Sequence, residues 1–331
     1  MRFLIYLILA LGFIQCRQFS PRPDLSGIPV DFEVFRFEQD WFSMDTTQLP
    51  EAIHSLELQY PSFFNLYTQG IIRIGSPQER LFGTRVQAFL ADPVQQEAYR
   101  EVQQRFADFS LYQQAISEAF RYYSYYFPEK NQPDLYTFVG YFNQSMVADE
   151  GLLAVALEKY LGSDFGPYLQ IGIPSFARSK MAPEYLVSDV VKALGKTEFY
   201  YTDSLDHLLS KMIYEGLILH FTAQLIPGIS EEVLLQYSTE ELEFLKRNEA
   251  SLWKYIIEQK HLFSFEHKIA MRYLNDGPFT PGINDSPSRI GVYLGYRIVQ
   301  SFQKTHPELT LAEIMEWTDY QALLNTSEYK P

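Results

Sequence analysis

The sequence has one cysteine in 331 residues, Cys16, and this scarcity limits how the protein is held together. A single thiol forms no disulfide within the chain, even in an oxidising compartment. The apolar fraction of 47% supplies enough side chains for a substantial core in a chain of this length, which excludes a protein that is disordered throughout. Stability must therefore come from packing rather than from cross-links.

Basic residues are also scarce, because 27 Lys and Arg stand against 41 Asp and Glu. The formal charge is −14, and Arg2 is the only charged residue among the first sixteen, so the remainder carries 26 − 41 = −15. Such an excess repels phosphate backbones and argues against nucleic-acid binding. It also opposes attachment to anionic lipid through a basic patch.

Long apolar runs are limited to one, residues 3–14 (FLIYLILALGFI), which follow Arg2. This arrangement is typical of a secretory signal and is too short for a stable membrane-spanning helix. Cys16 comes directly after the run, which predicts lipoprotein processing in which the thiol is acylated and becomes the new N-terminus. Phe13 and Gln15 depart from the usual lipobox residues, so an ordinary secretory signal with an incidental cysteine is the alternative.

Helical patterns outnumber strand patterns in the rest of the chain, so we predict an α+β fold that is mostly helical with a small sheet. Apolar and β-branched segments predict strands at residues 30–34 and 135–142, and residues 151–161 fit either a strand or a buried helix. Capping and stop signals predict helices at residues 48–60, two or three between 76 and 127 with breaks at Asp92-Pro93 and near Asp108, then 183–194, 204–225, 230–247, 253–260, 265–274, 288–304 and 311–317.

The predicted helix at residues 204–225 carries Glu215 on a largely apolar stripe. A carboxylate in that setting is either paired or functional, and Lys211, one turn earlier, is the local candidate for a partner. In zinc peptidases of the His-Glu-x-x-His type the Glu is the general base and the two imidazoles hold the metal. Here Tyr214 and Ile218 occupy the ligand positions, and neither replaces a neutral imidazole. Glu215 is then a relic of a catalytic residue.

Other signatures of catalysis and binding are missing or ambiguous. No two of the six histidines are three or four residues apart, and there is no Gly-x-Ser-x-Gly motif and no glycine-rich phosphate loop. We therefore expect no metal, no cofactor and no catalytic residue. The aromatic cluster at residues 122–127 is interpreted as the end of a half-buried helix, or alternatively as a carbohydrate-stacking surface that uses Tyr122 and Tyr125.

Several segments together resemble the gliding motility lipoprotein GldB family, which is related to predicted zinc-dependent peptidases. They are the lipoprotein-like start at Cys16 and residues 182–187 (APEYLV), 212–216 (MIYEG), 286–299 (SPSRIGVYLGYRIV) and 323–331 (LLNTSEYKP). The resemblance implies a degenerate zincin-like peptidase architecture that has lost its metal ligands. It also implies a membrane-tethered protein that serves gliding motility and the associated secretion machinery.

These inferences give one leading interpretation of the chain. Residues 1–16 are a lipoprotein signal peptide with its lipidation site, residues 17–29 a tether, and residues 30–331 a single peptidase-like domain in the periplasm. The domain is expected to be a non-catalytic pseudo-peptidase that binds other motility or secretion proteins of the envelope through a cleft formed by Tyr214, Glu215 and Arg289. In that cleft Arg289 is expected to pair with Glu215. The alternatives are an active membrane-tethered metal-dependent hydrolase and a periplasmic glycan-binding lipoprotein.

Overall fold

The computed structural model describes residues 23–202 and 206–331. The predicted signal peptide, Cys16 and the first part of the tether lie outside these residues, as does the start of the helix predicted at residues 204–225. The helices are α1 (Phe37–Phe42), α2 (Leu49–Gln59), α3 (Phe63–Asn65), α4 (Phe82–Ala91), α5 (Pro93–Phe106), α6 (Ser110–Tyr126), α7 (Gly166–Gln170), α8 (Ser175–Arg178), α9 (Leu186–Glu198), α10 (Leu208–Leu225), α11 (Glu231–Leu235), α12 (Thr239–Glu258), α13 (His267–Leu274), α14 (Ile290–Thr305), α15 (Leu311–Met315) and α16 (Tyr320–Thr326). A π-helix covers Leu66–Ile71, and short 3-10 turns cover Thr46–Gln48, Leu157–Lys159 and Pro183–Tyr185.

The sheet has four strands in the order β1-β2-β4-β3. They are β1 (Val34–Arg36), β2 (Asp134–Phe138), β3 (Met146–Asp149) and β4 (Leu152–Ala156). β1, β2 and β4 are parallel, and β3 runs antiparallel to β4 at one edge. The prediction of a mostly helical α+β fold with a small sheet is thus confirmed, and the segment that fitted either element is the buried strand β4. The zincin-like architecture stays a prediction.

The sheet separates two apolar cores, because successive side chains of a strand point to opposite faces. Leu135 and Leu153 belong to the larger core, which is built with α6, α9, α10 and α14. Tyr136 and Phe138 belong to the smaller core, where they pack with Trp41 and other aromatic residues of the first helices. The two central strands, β2 and β4, are therefore buried on both faces, as expected for parallel strands.

Helices α10 and α14 cross with their backbones in contact. A Cβ atom added to Gly295 would overlap the backbone carbonyl of Met212, and one added to Gly216 would overlap the backbone of Gly295. Gly291 and Gly295, four residues apart along the chain, both allow a close approach, since Gly291 also faces the backbone of Tyr273. The contact fixes α10, which carries Glu215, against α14.

Two predicted helix boundaries are wrong for local reasons. The helix predicted at residues 230–247 is interrupted at Gln236, whose φ of 56° is left-handed. A new helix, α12, begins after Ser238, which forms a capping box with Glu241. This helix is continuous to Glu258, so the separate helix predicted at residues 253–260 is part of α12. Ser76 and Glu79 have the Ser-x-x-Glu spacing of a capping box. They form half of one in a turn before α4, where the Ser76 N–H donates to Glu79 Oε1 at 3.0 Å.

Candidate functional site

Glu215 lies near the middle of α10, where its side chain is 29% exposed. Its carboxylate forms an ion pair with Lys196 of α9, with Nζ and Oε1 2.8 Å apart. The expected local partner, Lys211, instead pairs with Asp206 at 3.0 Å. Side chains on a helix lean towards its N-terminus, so Lys211 extends away from Glu215 and reaches the residue that precedes the helix.

The predicted ion pair between Arg289 and Glu215 is also wrong. Arg289 precedes α14 in a left-handed conformation, with φ of 61°. Its Nη1 donates to the carbonyl of Leu235 at 3.1 Å, and its Nε lies 3.5 Å from Asp276 Oδ1. This hydrogen bond and this ion pair hold the guanidinium away from α10. The two residues nevertheless line the same cavity.

We call this cavity the cleft; its volume is about 300 Å³. Inside it Asp189 is the most connected group, since it accepts from Gln236 Nε2 at 2.8 Å and from Tyr160 Oη at 3.0 Å and pairs with Lys192 at 3.3 Å. Burial lowers the pKa of the Lys192 ammonium, and Asp189 opposes that effect. The cleft is lined by Ser145, Met146, Asp189, Lys192, Ala193, Lys196, Glu215, Ile218, Leu219, Gln236, Arg289 and Val292.

Tyr214, the third residue predicted for the cleft, points elsewhere. Its hydroxyl donates to the carbonyl of Phe199 at 2.9 Å, and burial raises its pKa to about 12. It lines a separate cavity of about 230 Å³ beside Trp317 and Tyr320. Adjacent residues of a helix are about 100° apart, so Tyr214 and Glu215 face different neighbours.

A larger groove of about 1050 Å³ adjoins the cleft. The two share Met146, Ala193 and Lys196, so they form one continuous depression beside β3 and α9. The groove extends to Asp149, the last residue of β3, and to Glu150 in the turn that follows it. The sequence reasoning missed β3, and the only signal for it is the short run Met146-Val147-Ala148 before that turn.

The residues around Glu215 do not fit a zinc ion. The Lys196 ammonium is in contact with the carboxylate, and Ile218 has no donor atom. Within residues 23–202 and 206–331 no group of three or more His, Cys, Asp or Glu side chains is placed to hold a metal. The two histidines of this region have other roles: His207 caps α10, and buried His220 has a pKa lowered to about 4 by desolvation.

The aromatic cluster at the end of α6 confirms the half-buried helix. Tyr122 and Tyr123 are buried, whereas Tyr125 is 47% exposed. Because Tyr122 faces the core, a stacking surface that uses both Tyr122 and Tyr125 is not formed. No helix of the described residues combines the length and the apolarity that crossing a bilayer requires.

The fold and the site define an α+β, mostly helical domain with a cleft whose charges are paired within the molecule. The chain belongs to the gliding motility protein GldB family, whose model matches residues 18–331. No curated protein and no solved structure matches the chain. Membership confirms the predicted family and supports a gliding motility lipoprotein of the cell envelope.

Proposed function

We propose that the protein is a lipid-anchored, non-catalytic component that supports gliding motility and its associated secretion machinery by binding other envelope proteins at the cleft. The observation that carries this proposal is the ion pair between Glu215 and Lys196. A general base must reach the proton that it abstracts. Here the carboxylate is in contact with an ammonium group, at the position where a metallopeptidase helix carries its base.

The neighbouring positions support the same conclusion. The Tyr214 hydroxyl is bound to a backbone carbonyl in a separate cavity, and Ile218 contributes only apolar surface to the cleft. The three groups that hydrolysis would need together are therefore apart or lack the required atoms. What remains is a depression with paired charges at its walls, which is suited to recognition of a partner.

The tether limits where such a partner can lie. We propose that Cys16 is acylated and that the domain stays in the periplasm next to its membrane. Residues 17–29 span at most about 45 Å when fully extended. The partners are then other motility or secretion proteins that reach the same layer of the envelope.

The test is a pair of substitutions in the full-length protein, expressed in gliding cells. Glu215→Gln keeps the shape of the side chain and removes its basicity, so we expect gliding at the wild-type speed. Ala193→Trp fills the junction of the cleft and the groove, so we expect gliding to be lost while the thermal unfolding temperature is kept. Loss of gliding in Glu215→Gln, at an unchanged protein level and with partner binding retained, would support the active hydrolase instead.

A second measurement addresses the anchor and the metal. Protein extracted from native membranes is analysed by intact mass and for zinc content. We expect acylated Cys16 and no stoichiometric zinc. An unacylated chain with one zinc per molecule would contradict both the anchor and the non-catalytic role.

A further inference from the structure

Strand β3 is at the edge of the sheet, and one side of its backbone has no partner strand. Ser145 O accepts from Ala156 N at 2.9 Å, and Met146 is paired in register with Val155. Bonded and non-bonded pairs alternate along an antiparallel ladder. Val147 and Asp149 therefore bond to β4, while the N–H and C=O groups of Met146 and Ala148 point away from it.

The outward N–H and C=O groups of Met146 and Ala148 are available for hydrogen bonding to another strand, as far as the described residues show. No hydrogen bond from a turn, a loop or a side chain there reaches the backbone of Met146 or Ala148. Ala148 is exposed, and the helix that packs on β3 is α9. Natural proteins blunt open edges with charged side chains, proline or bulges. β3 has no lysine or proline, and its one charged residue is Asp149 at the end of the strand.

The cleft and the groove follow this open edge. Met146 lines both of them, and Ala148 lines the groove. Both side chains are on the face of the sheet that carries the larger core, opposite Val155 and Leu153. Every second side chain of a strand added next to β3 would share that face and enter the depression.

The two ends of β3 differ in how their charges are balanced. At the Ser145 end each cation of the cleft has a carboxylate partner, Lys192 with Asp189, Lys196 with Glu215 and Arg289 with Asp276, a net charge of 3 − 3 = 0. At the other end are Asp149 and Glu150, and among the described residues neither has a lysine or arginine within ion-pair distance.

We propose that a partner binds as an extended peptide that adds to β3 as a fifth strand of the sheet. The inference rests on the proposed function and names the form of the partner. Two outward N–H and C=O pairs, on residues two apart, match the spacing of a peptide backbone. The carboxylates of Asp149 and Glu150, which have no cation beside them among the described residues, favour a peptide that carries a basic side chain at that end of β3.

The test uses overlapping synthetic peptides of about eight residues, long enough to cover a four-residue strand with flanks. Their sequences are taken from the envelope proteins of the motility apparatus and from this chain, and they are tested against the full-length protein in detergent. The tightest partner peptide is then made with N-methyl groups on alternate amides. We expect one alternating set to weaken binding about tenfold or more, from the loss of two hydrogen bonds. The other set should leave the affinity unchanged.

Matched variants of the protein test the same contact from the other side. Ala148→Pro removes the outward N–H at a position that gives no bond to β4, which an edge strand tolerates. Ala148→Ser keeps the N–H, so binding should be lost only in the proline variant. If Ala148→Pro does not fold, the N-methylated peptides alone decide.

Four outcomes would overturn the inference. Equal effects of the two N-methylated sets would show that the peptide fills the groove without strand addition. Binding only of peptides from this chain would point to a second copy as the occupant. If intact envelope proteins bind but no peptide does, strand addition is wrong and the proposed function survives. If neither binds, both are wrong.

Discussion

Glu158 gives the sharpest prediction for the stability of this fold. The residue follows β4, and its side chain is completely buried. Its Oε1 accepts from Gly140 N at 2.8 Å, whereas its Oε2 has no hydrogen-bond partner. Desolvation raises the pKa of this carboxyl from 4.5 to about 7, although the Gly140 N–H acts in the opposite direction.

The sign of the pH effect follows from comparing the folded and unfolded states. Below pH 4.5 the carboxyl is protonated in both states. Between pH 4.5 and about 7 the unfolded chain loses the proton and the folded protein keeps it, so stability falls as the pH rises. Between pH 5 and pH 8 this single group removes roughly 2 to 3 kcal/mol from the free energy of unfolding.

Glu158→Gln removes the titration and keeps an oxygen for the Gly140 N–H. We expect the variant to gain roughly 2 to 3 kcal/mol of unfolding free energy relative to the wild type when the pH is raised from 5 to 8. The assay is urea unfolding at both pH values. The change between them is the quantity to compare, since new contacts of the amide contribute equally at each pH. The exposed Glu118→Gln is the control, and an equal change in both variants would refute the reasoning.

Three further predictions concern the helices that carry the site. Gly295→Ala places a Cβ atom against the backbone of Met212, so it should lower the free energy of unfolding by about 2 kcal/mol or more. The control Gly83→Ala makes an ordinary contact at 3.5 Å and should change that free energy by less than about 1 kcal/mol. Equal urea midpoints for the two variants would contradict the backbone contact. His220→Gln removes an imidazole whose pKa is lowered from 6.5 to about 4 by desolvation, so the unfolded chain takes up its proton at a higher pH than the folded protein. The free energy of unfolding should therefore fall less steeply in the variant as the pH decreases from 6.5 towards 4. An unchanged dependence on pH would show that His220 is not desolvated. Glu215→Gln should alter the free energy of unfolding by less than about 1 kcal/mol, because the pair with Lys196 is partly exposed; a larger loss on thermal unfolding would mean that the pair is a structural element.

The parts of the fold that local patterns determine were predictable. The breaks at Asp92-Pro93 and near Asp108 separate α4, α5 and α6, and Asp92 caps α5 through the N–H groups of Val94 and Gln95. The strand at β2 and the loop before α14 also follow from residue type. β3 escaped prediction because its four residues alternate little and are stabilised by pairing with β4, which residue order alone does not reveal.

The candidate site shows the same limit. Glu215 could be recognised as unusual because a carboxylate on an apolar stripe requires an explanation. Its partner is Lys196, nineteen residues earlier and on a different helix, and the local spacing rule of helices identifies only candidates such as Lys211. Arg289 lines the cleft with Glu215, and Tyr214 does not. This depends on how α9, α10 and α14 pack against one another, which the local sequence does not determine.

The packing also fixes the position of α10 without a metal. Gly216 follows Glu215 directly and meets Gly295 on α14, so the position of α10 is set by backbone contact rather than by the carboxylate. Under the proposed non-catalytic role, Tyr214 and Ile218 stand at the two ligand positions of the peptidase motif without disturbing the helix. The cleft and the open edge of β3, at which partner binding is proposed, are formed by helix packing and strand pairing, so they do not depend on those two positions.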